Sequence, residues 1–307
     1  YREFRGLGET TFCGYDEMVN ESSVVGILRD GVSVERAGAG DTVEVILAET
    51  SLYPESGGQV ADKGVLVGDG LSAPVKDVQR PVPGLISHTV TISAGELVVG
   101  GTVRVEVDAT NRYSARQAHS ATHLIHAALR DTLGSHATQA GSLNRAGYMR
   151  LDFSWNKALG DDQKAQIESI ANSAINDDLE VTTKVLPLDE AREQGATALF
   201  GEKYGDVVRM VDIGGPWSRE LCAGTHVQRS SQIGVINLVG ETSVSAGARR
   251  VEALVGMDAV TEFSKERELV QRLQHTLKTK RDDIPARIDD LIEQVRSLEK
   301  TITQLRQ

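Results

Sequence analysis

Two short stretches, His119-Ser-Ala-Thr-His123 and Cys222-Ala-Gly-Thr-His226, decide how this chain has to fold. In a helix, residues four apart share a face, so His119 and His123 present two imidazoles one turn apart. The second stretch adds a thiolate and a third imidazole at the same spacing. One Cys with three His is a ligand set typical of tetrahedral zinc. Neither half holds a metal well alone, so the 98 residues between them must fold to close the site. The alternative is two unrelated polar clusters on separate elements. A matched pair is favoured because the chain holds only two Cys and seven His. His126 continues the helical face but stays outside the ligand set, which the Cys-side pair already completes.

Composition narrows the context. At 307 residues the chain has enough length for two or three domains with real cores. Cys13 and Cys222 are too few for a disulfide scaffold, which points to a reducing, cytoplasmic setting. No run is long and apolar enough to span a membrane. Tyr1-Arg-Glu-Phe-Arg5 has no signal-peptide pattern, and without an initiator Met the chain is expected to be a piece of a longer protein. The net charge of −11 argues against indiscriminate nucleic-acid binding. The charge is uneven, however. Residues 1–107 carry 8 Lys/Arg and 16 Asp/Glu, whereas residues 109–150 carry five Arg, one Asp and four His. The segment with the first His pair is the basic part of an acidic chain, where a polyanion can be received.

The pattern predicts an α+β protein in three parts. Residues 1–107 read as β. Val24–Leu28 and Val43–Leu47 are short and β-branched, and Val103–Val107 alternates strictly. Turn signals recur at near-regular spacing, as in a small barrel. Within it lies Glu55-Ser56-Gly57-Gly58-Gln59, followed by Asp62. Two adjacent glycines let a backbone approach a ligand closely; the plainer reading is a Gly-rich hairpin turn. Residues 108–257 read as an α+β core. A helix is predicted over Asn111–Leu133, capped by Asp108 or Thr110 and ended by Gly134. Further helices are predicted over Asp161–Asn176, with an Asp cap, and over Asp189–Leu199. Strands are predicted at Tyr148–Phe153, Val181–Leu186, Val207–Ile213, Ile233–Val239 and Gly247–Leu254. Residues 258–307 hold ten acids, ten bases and no Gly. There Ile284, Ile288, Leu291, Val295, Leu298, Ile302 and Leu305 alternate steps of four and three, a coiled-coil seam. It predicts a helical hairpin with residues 260–280 or self-association; an amphipathic helix packed on its own domain is the other possibility.

Several motifs together resemble the editing region of bacterial alanyl-tRNA synthetases. They are His119 to Arg130, Gln139-Ala-Gly-Ser142, Ala198 to Asp206, Glu220 to His226, and Tyr53 to Gln59 with Asp62 and Gly64. They occur in the family's order and cover nearly the whole chain. Ala223 departs from the family pattern, which has Gly there; a methyl at that point is expected to tighten the loop beside Cys222. The family's aminoacylation domain, with its ATP-binding motifs, and its C-terminal RNA-binding domain are not represented. Threonyl-tRNA synthetase editing domains share the two metal motifs, but the Gly-Gly-Gln segment fits the alanyl group better.

The resemblance implies hydrolytic editing: deacylation of tRNA(Ala) mischarged with Ser or Gly. An added hydroxyl is hard to exclude from a small synthetic pocket and glycine simply fits, so a second site must correct the error. It implies Zn2+ held by His119, His123, Cys222 and His226, with Gln139 and Cys222 catalytic. Substrate contacts fall to Glu55, Ser56, Gly57, Gly58, Gln59 and Asp62, and phosphate contacts to Arg112, Arg116, Arg145 and Arg150. Partners would be the tRNA(Ala) acceptor end and the rest of the synthetase. Zinc either closes its shell and shapes the pocket, or opens a position to the substrate. Two other readings remain: a free-standing trans-editing protein, and a zinc-stabilised tRNA-binding module without catalysis.

Overall fold

A computed structural model describes residues 1–198 and 204–306. It divides into a compact unit, Tyr1–Met257, and a second unit, Asp258–Gln307. In the first unit six strands close a barrel: β1 (Val19–Arg29), β2 (Thr42–Leu47), β3 (Gly64–Val67), β4 (Ser72–Val82), β5 (Leu85–Thr91) and β6 (Thr102–Val107). The ring runs β1-β2-β5-β4-β3-β6 and returns to β1, with every pairing antiparallel. Closure removes exposed strand edges. The strict alternation of Val103, Val105 and Val107 has its reason here, because all three point into the barrel core with Ile27, Val45, Leu66 and Val90.

After the barrel, α1 (Ala109–Leu133) starts where Asp108 accepts a hydrogen bond from the Asn111 N–H at 2.9 Å. It ends at Gly134, whose φ of 105° suits glycine. Its apolar face, including Leu124, Ile125 and Leu129, is fully buried. Burying each such side chain stabilises the fold by roughly 1.5–3 kcal/mol. With α2 (Asp161–Asn176) it covers a four-stranded antiparallel sheet of β7 (Gln139–Arg145), β8 (Tyr148–Ser154), β12 (Ile236–Ser245) and β13 (Ala248–Val255). A second sheet, β9 (Val181–Pro187), β10 (Val207–Ile213) and β11 (Ser218–Leu221), has its own small core with the short α3 (Leu188–Glu193). The α+β content and the barrel match the reading of the sequence.

Three local expectations need correction. The cap of α2 is Gly160, whose N–H donates to Gln163 Oε1 at 3.1 Å, and Asp161 is the first helical residue. The helix expected over Asp189–Leu199 stops at Glu193, because Gly195 (φ 81°) turns the chain; Leu199 lies outside the described residues, as does part of the Ala198–Asp206 motif. The strand expected from Ile233 begins at Ile236, after a 3-10 turn over Ser230–Ile233.

The second unit contains α4, which begins at Met257 and runs to Leu277, and α5 (Ile284–Arg306). The apolar stripe of α5 is continuous but open to solvent: Val295, Leu298, Ile302 and Leu305 are all exposed, Leu305 by 81%. Pairing with residues 260–280 does not cover it.

Candidate active site

The two opening motifs do meet. The ligand atoms of His119, His123, Cys222 and His226 lie within 4.8 Å of one another. His119 and His123 come from α1, and Cys222 and His226 from the loop that follows β11. Sγ of Cys222 is 3.4 Å from His119 Nε2 and 3.3 Å from His226 Nε2. The third imidazole, His123, has a buried Nε2 with no hydrogen-bond partner.

Each imidazole is oriented through its other nitrogen. His119 Nδ1 is 2.8 Å from Gln59 Oε1, His226 Nδ1 is 3.2 Å from Ser120 Oγ, and His123 Nδ1 is 2.9 Å from Glu220 Oε2. Such outer partners fix ring orientation at metal sites. His126 turns away from the cluster, its Nδ1 2.6 Å from Glu220 Oε1. Glu220 therefore bridges two imidazoles, and they hold its carboxyl below its ordinary range against the opposing effect of burial. Burial pushes His123 down, but the Glu220 carboxylate outweighs it and lifts the imidazole to about 10. Burial pushes His226 down to about 3, so that ring is neutral. Burial alone would raise the Cys222 thiol; His119 and His226 hold it well below its ordinary value. A thiolate, a neutral imidazole and the orphaned buried Nε2 of His123, once a cation displaces its proton, fit a soft or borderline cation such as zinc.

Beside the cluster lies a cavity of about 400 Å³, a volume within the range of small-molecule sites. His119, Thr122, His123 and Cys222 line one part of it; Ser56 and Gly57 come from the barrel, Gln139 from β7, and Arg80 and Arg209 from β4 and β10. Gln139 is almost buried, at 7% exposure.

The remaining expected site residues have varied positions. Gln59 is fully buried and acts behind the cavity wall, its Nε2 donating to Thr225 Oγ1 at 2.9 Å. Gly58 takes φ 78°, and a Cβ there would come within 2.1 Å of Ser142 Oγ. The close approach stitches barrel to core: Asn144 N–H donates to Gly58 O at 2.6 Å, and Val60 N–H donates to Asn144 O at 3.0 Å. Glu55 is exposed and accepts from Gln79 Nε2 at 2.9 Å.

Two assignments fail on burial. Arg112 is 0% exposed and ion-paired with Asp62; it also donates to Gly14 O at 2.5 Å and Ser51 O at 2.6 Å. Neither Arg112 nor Asp62 can reach a substrate; they fasten α1 to the barrel. Arg116 donates to Tyr15 O at 3.3 Å, Arg145 sits 4.4 Å over the Tyr148 ring, and Arg150 lies on β8 opposite Glu252. None of them lines the cavity.

Ala223 does not crowd the loop. It is exposed at the cavity, whereas a Cβ on Gly224 would sit 2.1 Å from His119 Cε1. The loop needs glycine at 224 and has room at 223. Reading the sequence alone also passed over Glu220, Ser120, Thr225, Arg80 and Arg209. Only Glu220 carried a signal: it stands two residues before Cys222, near the end of β11.

Residues 3–111 match a family described as tRNA synthetases class II (A). Residues 208–252, which hold Cys222 and His226, match the threonyl and alanyl tRNA synthetase second additional domain. The chain is 57% identical to the alanine–tRNA ligase of Clavibacter michiganensis over 98% of its own length and 34% of that protein's. It is 56% identical to the Leifsonia xyli enzyme of the same name, again over 98% and 34%. Against the alanine–tRNA ligase of Mycolicibacterium vanbaalenii it is 48% identical over 100% of this chain and 35% of the relative. Spanning about a third of the length of the curated relatives it matches, the chain belongs to the alanine–tRNA ligase family.

Proposed function

We propose that this chain is an aminoacyl-tRNA ester hydrolase that removes Ser and Gly from tRNA(Ala), with the acceptor end seated in the cavity beside the His119–Cys222 cluster. The observation that carries the reading is the convergence, around about 400 Å³, of the paired motifs, Gln139 and the Gly-rich segment. The similarity of the chain to alanine–tRNA ligases supports it, and the substrate in this reading is tRNA(Ala). The rest of the synthetase and a cytoplasmic setting belong to the same proposal; no helix among the described residues is long and apolar enough to cross a membrane.

Division of labour follows from position. The barrel, residues 1–107, presents Ser56 and Gly57 to the aminoacyl group. The core, residues 108–257, supplies the ligand set and Gln139. Gln139, on the cavity wall, orients the attacking water or the ester carbonyl. Gly57 and Ala223 line the same space, and in this reading their backbone amides stabilise the developing oxyanion. Thr122 lines the cavity with its hydroxyl donating to Ala118 O at 3.2 Å and Asn144 Oδ1 at 2.5 Å, which fixes that wall. Cys222, His119, His123 and His226 would hold Zn2+, which, with four protein ligands, supplies a positive centre that keeps Cys222 ionised and joins α1 to the 222–226 loop. The exposed stripe of α5, in residues 258–307, offers a surface for self-association, which light scattering with and without those residues tests.

Incubation with Ser-, Gly- and Ala-tRNA(Ala) tests the reading. Release of Ser and Gly with Ala spared is expected. Binding of the tRNA with no release favours a non-catalytic module instead.

A further inference from the structure

The arginines that the sequence nominates for phosphate contact lie outside the cavity, yet the cavity has two arginines of its own. Arg209 is fixed: its Nη1 donates to Cys222 O at 3.0 Å and Gly224 O at 2.9 Å, and its guanidinium lies 4.2 Å over the Tyr15 ring. Arg80 is exposed and makes no hydrogen bond or ion pair among the described residues. It sits where the pairing of β4 with β5 shifts register between Gln79 and Val82. A bulge of this kind re-aims a side chain. Glu55 accepts from Gln79, and both oxygens of Glu220, the one acid that lines the cavity among the described residues, face His123 and His126. An uncommitted guanidinium lining the same cavity as a second one is a receptor for an anion, and its planar fork matches phosphate.

We propose that Arg80, with Arg209, binds the phosphate on the 5′ side of the terminal nucleotide whose ribose carries the ester. The proposal rests on the hydrolytic reading above. In such a substrate the aminoacyl group carries no anion, and the closest negative charge is that phosphate, one ribose away from the ester. Binding it sets how far the ester enters the cavity, so Arg80 is a positioning residue and takes no part in bond breaking.

The test uses two hydrolysis-resistant ligands, the 3′-seryl amide of 3′-amino-3′-deoxyadenosine with and without a 5′-phosphate. Calorimetry on the whole chain reads their affinities for wild type, Arg80→Ala and Arg80→Lys. Wild type is expected to bind the phosphorylated ligand about tenfold more tightly, as one charge-assisted contact allows. Arg80→Ala should remove most of that gap, leaving only the share of Arg209, Arg80→Lys should keep more of it, and added salt should narrow it in wild type. Equal binding of the two ligands by wild type, or a gap undiminished by Arg80→Ala, overturns the proposal. Hydrolysis of Ser-tRNA(Ala) is measured separately, so failure of the catalytic reading and failure of the phosphate contact are told apart.

Discussion

Gln59 Oε1 accepts from His119 Nδ1 at 2.8 Å and from the Thr225 N–H at 2.9 Å. One buried amide from the barrel thus sets the tautomer of a helix imidazole and the path of the Cys222–His226 loop. The barrel is therefore part of the candidate metal site although it contributes no ligand.

This arrangement predicts that Gln59→Leu weakens metal binding while leaving the four ligands in place. Loss of such an outer partner typically costs about 10–100-fold in metal affinity. Competition against a chromophoric chelator measures it. Affinity unchanged from wild type would show that Gln59 does not orient His119.

The Arg112–Asp62 pair predicts a stability defect. Removing one partner of a buried ion pair leaves the other charge uncompensated, at a cost of about 3–5 kcal/mol. Arg112→Met should lower the denaturant midpoint accordingly. If Arg112 served phosphate recognition instead, stability would hold and the salt dependence of tRNA binding would change.

The first half of the site was legible in the sequence because it is local. An i, i+4 pair on a periodic helix fixes a shared face whatever surrounds it, and the matching Cys-side pair could be joined to it by chemistry alone. Barrel strands such as Val103–Val107 were legible because alternation marks a half-buried pleat. What stayed hidden depends on long-range approach. Nothing near Arg112 in the chain signals Asp62, fifty residues earlier, so a basic segment read as a phosphate surface when one of its arginines was a buried fastener. Arg80 escaped notice for the converse reason. It lies in the acidic barrel half, at a strand irregularity that no local pattern signals. Glu220 was in plain view, but its bridging of His123 and His126 needs the fold.

His88 predicts a pH effect outside the site. It is fully buried in β5, with Nδ1 3.0 Å from Val45 O and Nε2 2.9 Å from Thr50 Oγ1. Burial lowers it from 6.5 to about 4. Above pH 6.5 both folded and unfolded states are neutral there. As pH falls below 6.5 the unfolded state gains a proton that the folded state refuses until about pH 4, so stability is lost across that window. The full loss is about 3 kcal/mol. Unfolding of wild type and His88→Gln at pH 7 and pH 4.5 should show the mutant less pH-dependent by an amount of this order. Parallel pH profiles would contradict it.

The central claim is that the cavity beside the His119–Cys222 cluster hydrolyses the ester of mischarged tRNA(Ala). The most direct measurement is deacylation of Ser-tRNA(Ala) by wild type, Cys222→Ala and Gln139→Ala at high enzyme concentration, with zinc content recorded for each. The account predicts serine release by wild type and spared Ala-tRNA(Ala). It predicts loss of both zinc and most activity in Cys222→Ala, and retained zinc with a lowered rate in Gln139→Ala. Serine release by wild type no faster than in buffer, or Cys222→Ala matching wild type, would contradict it.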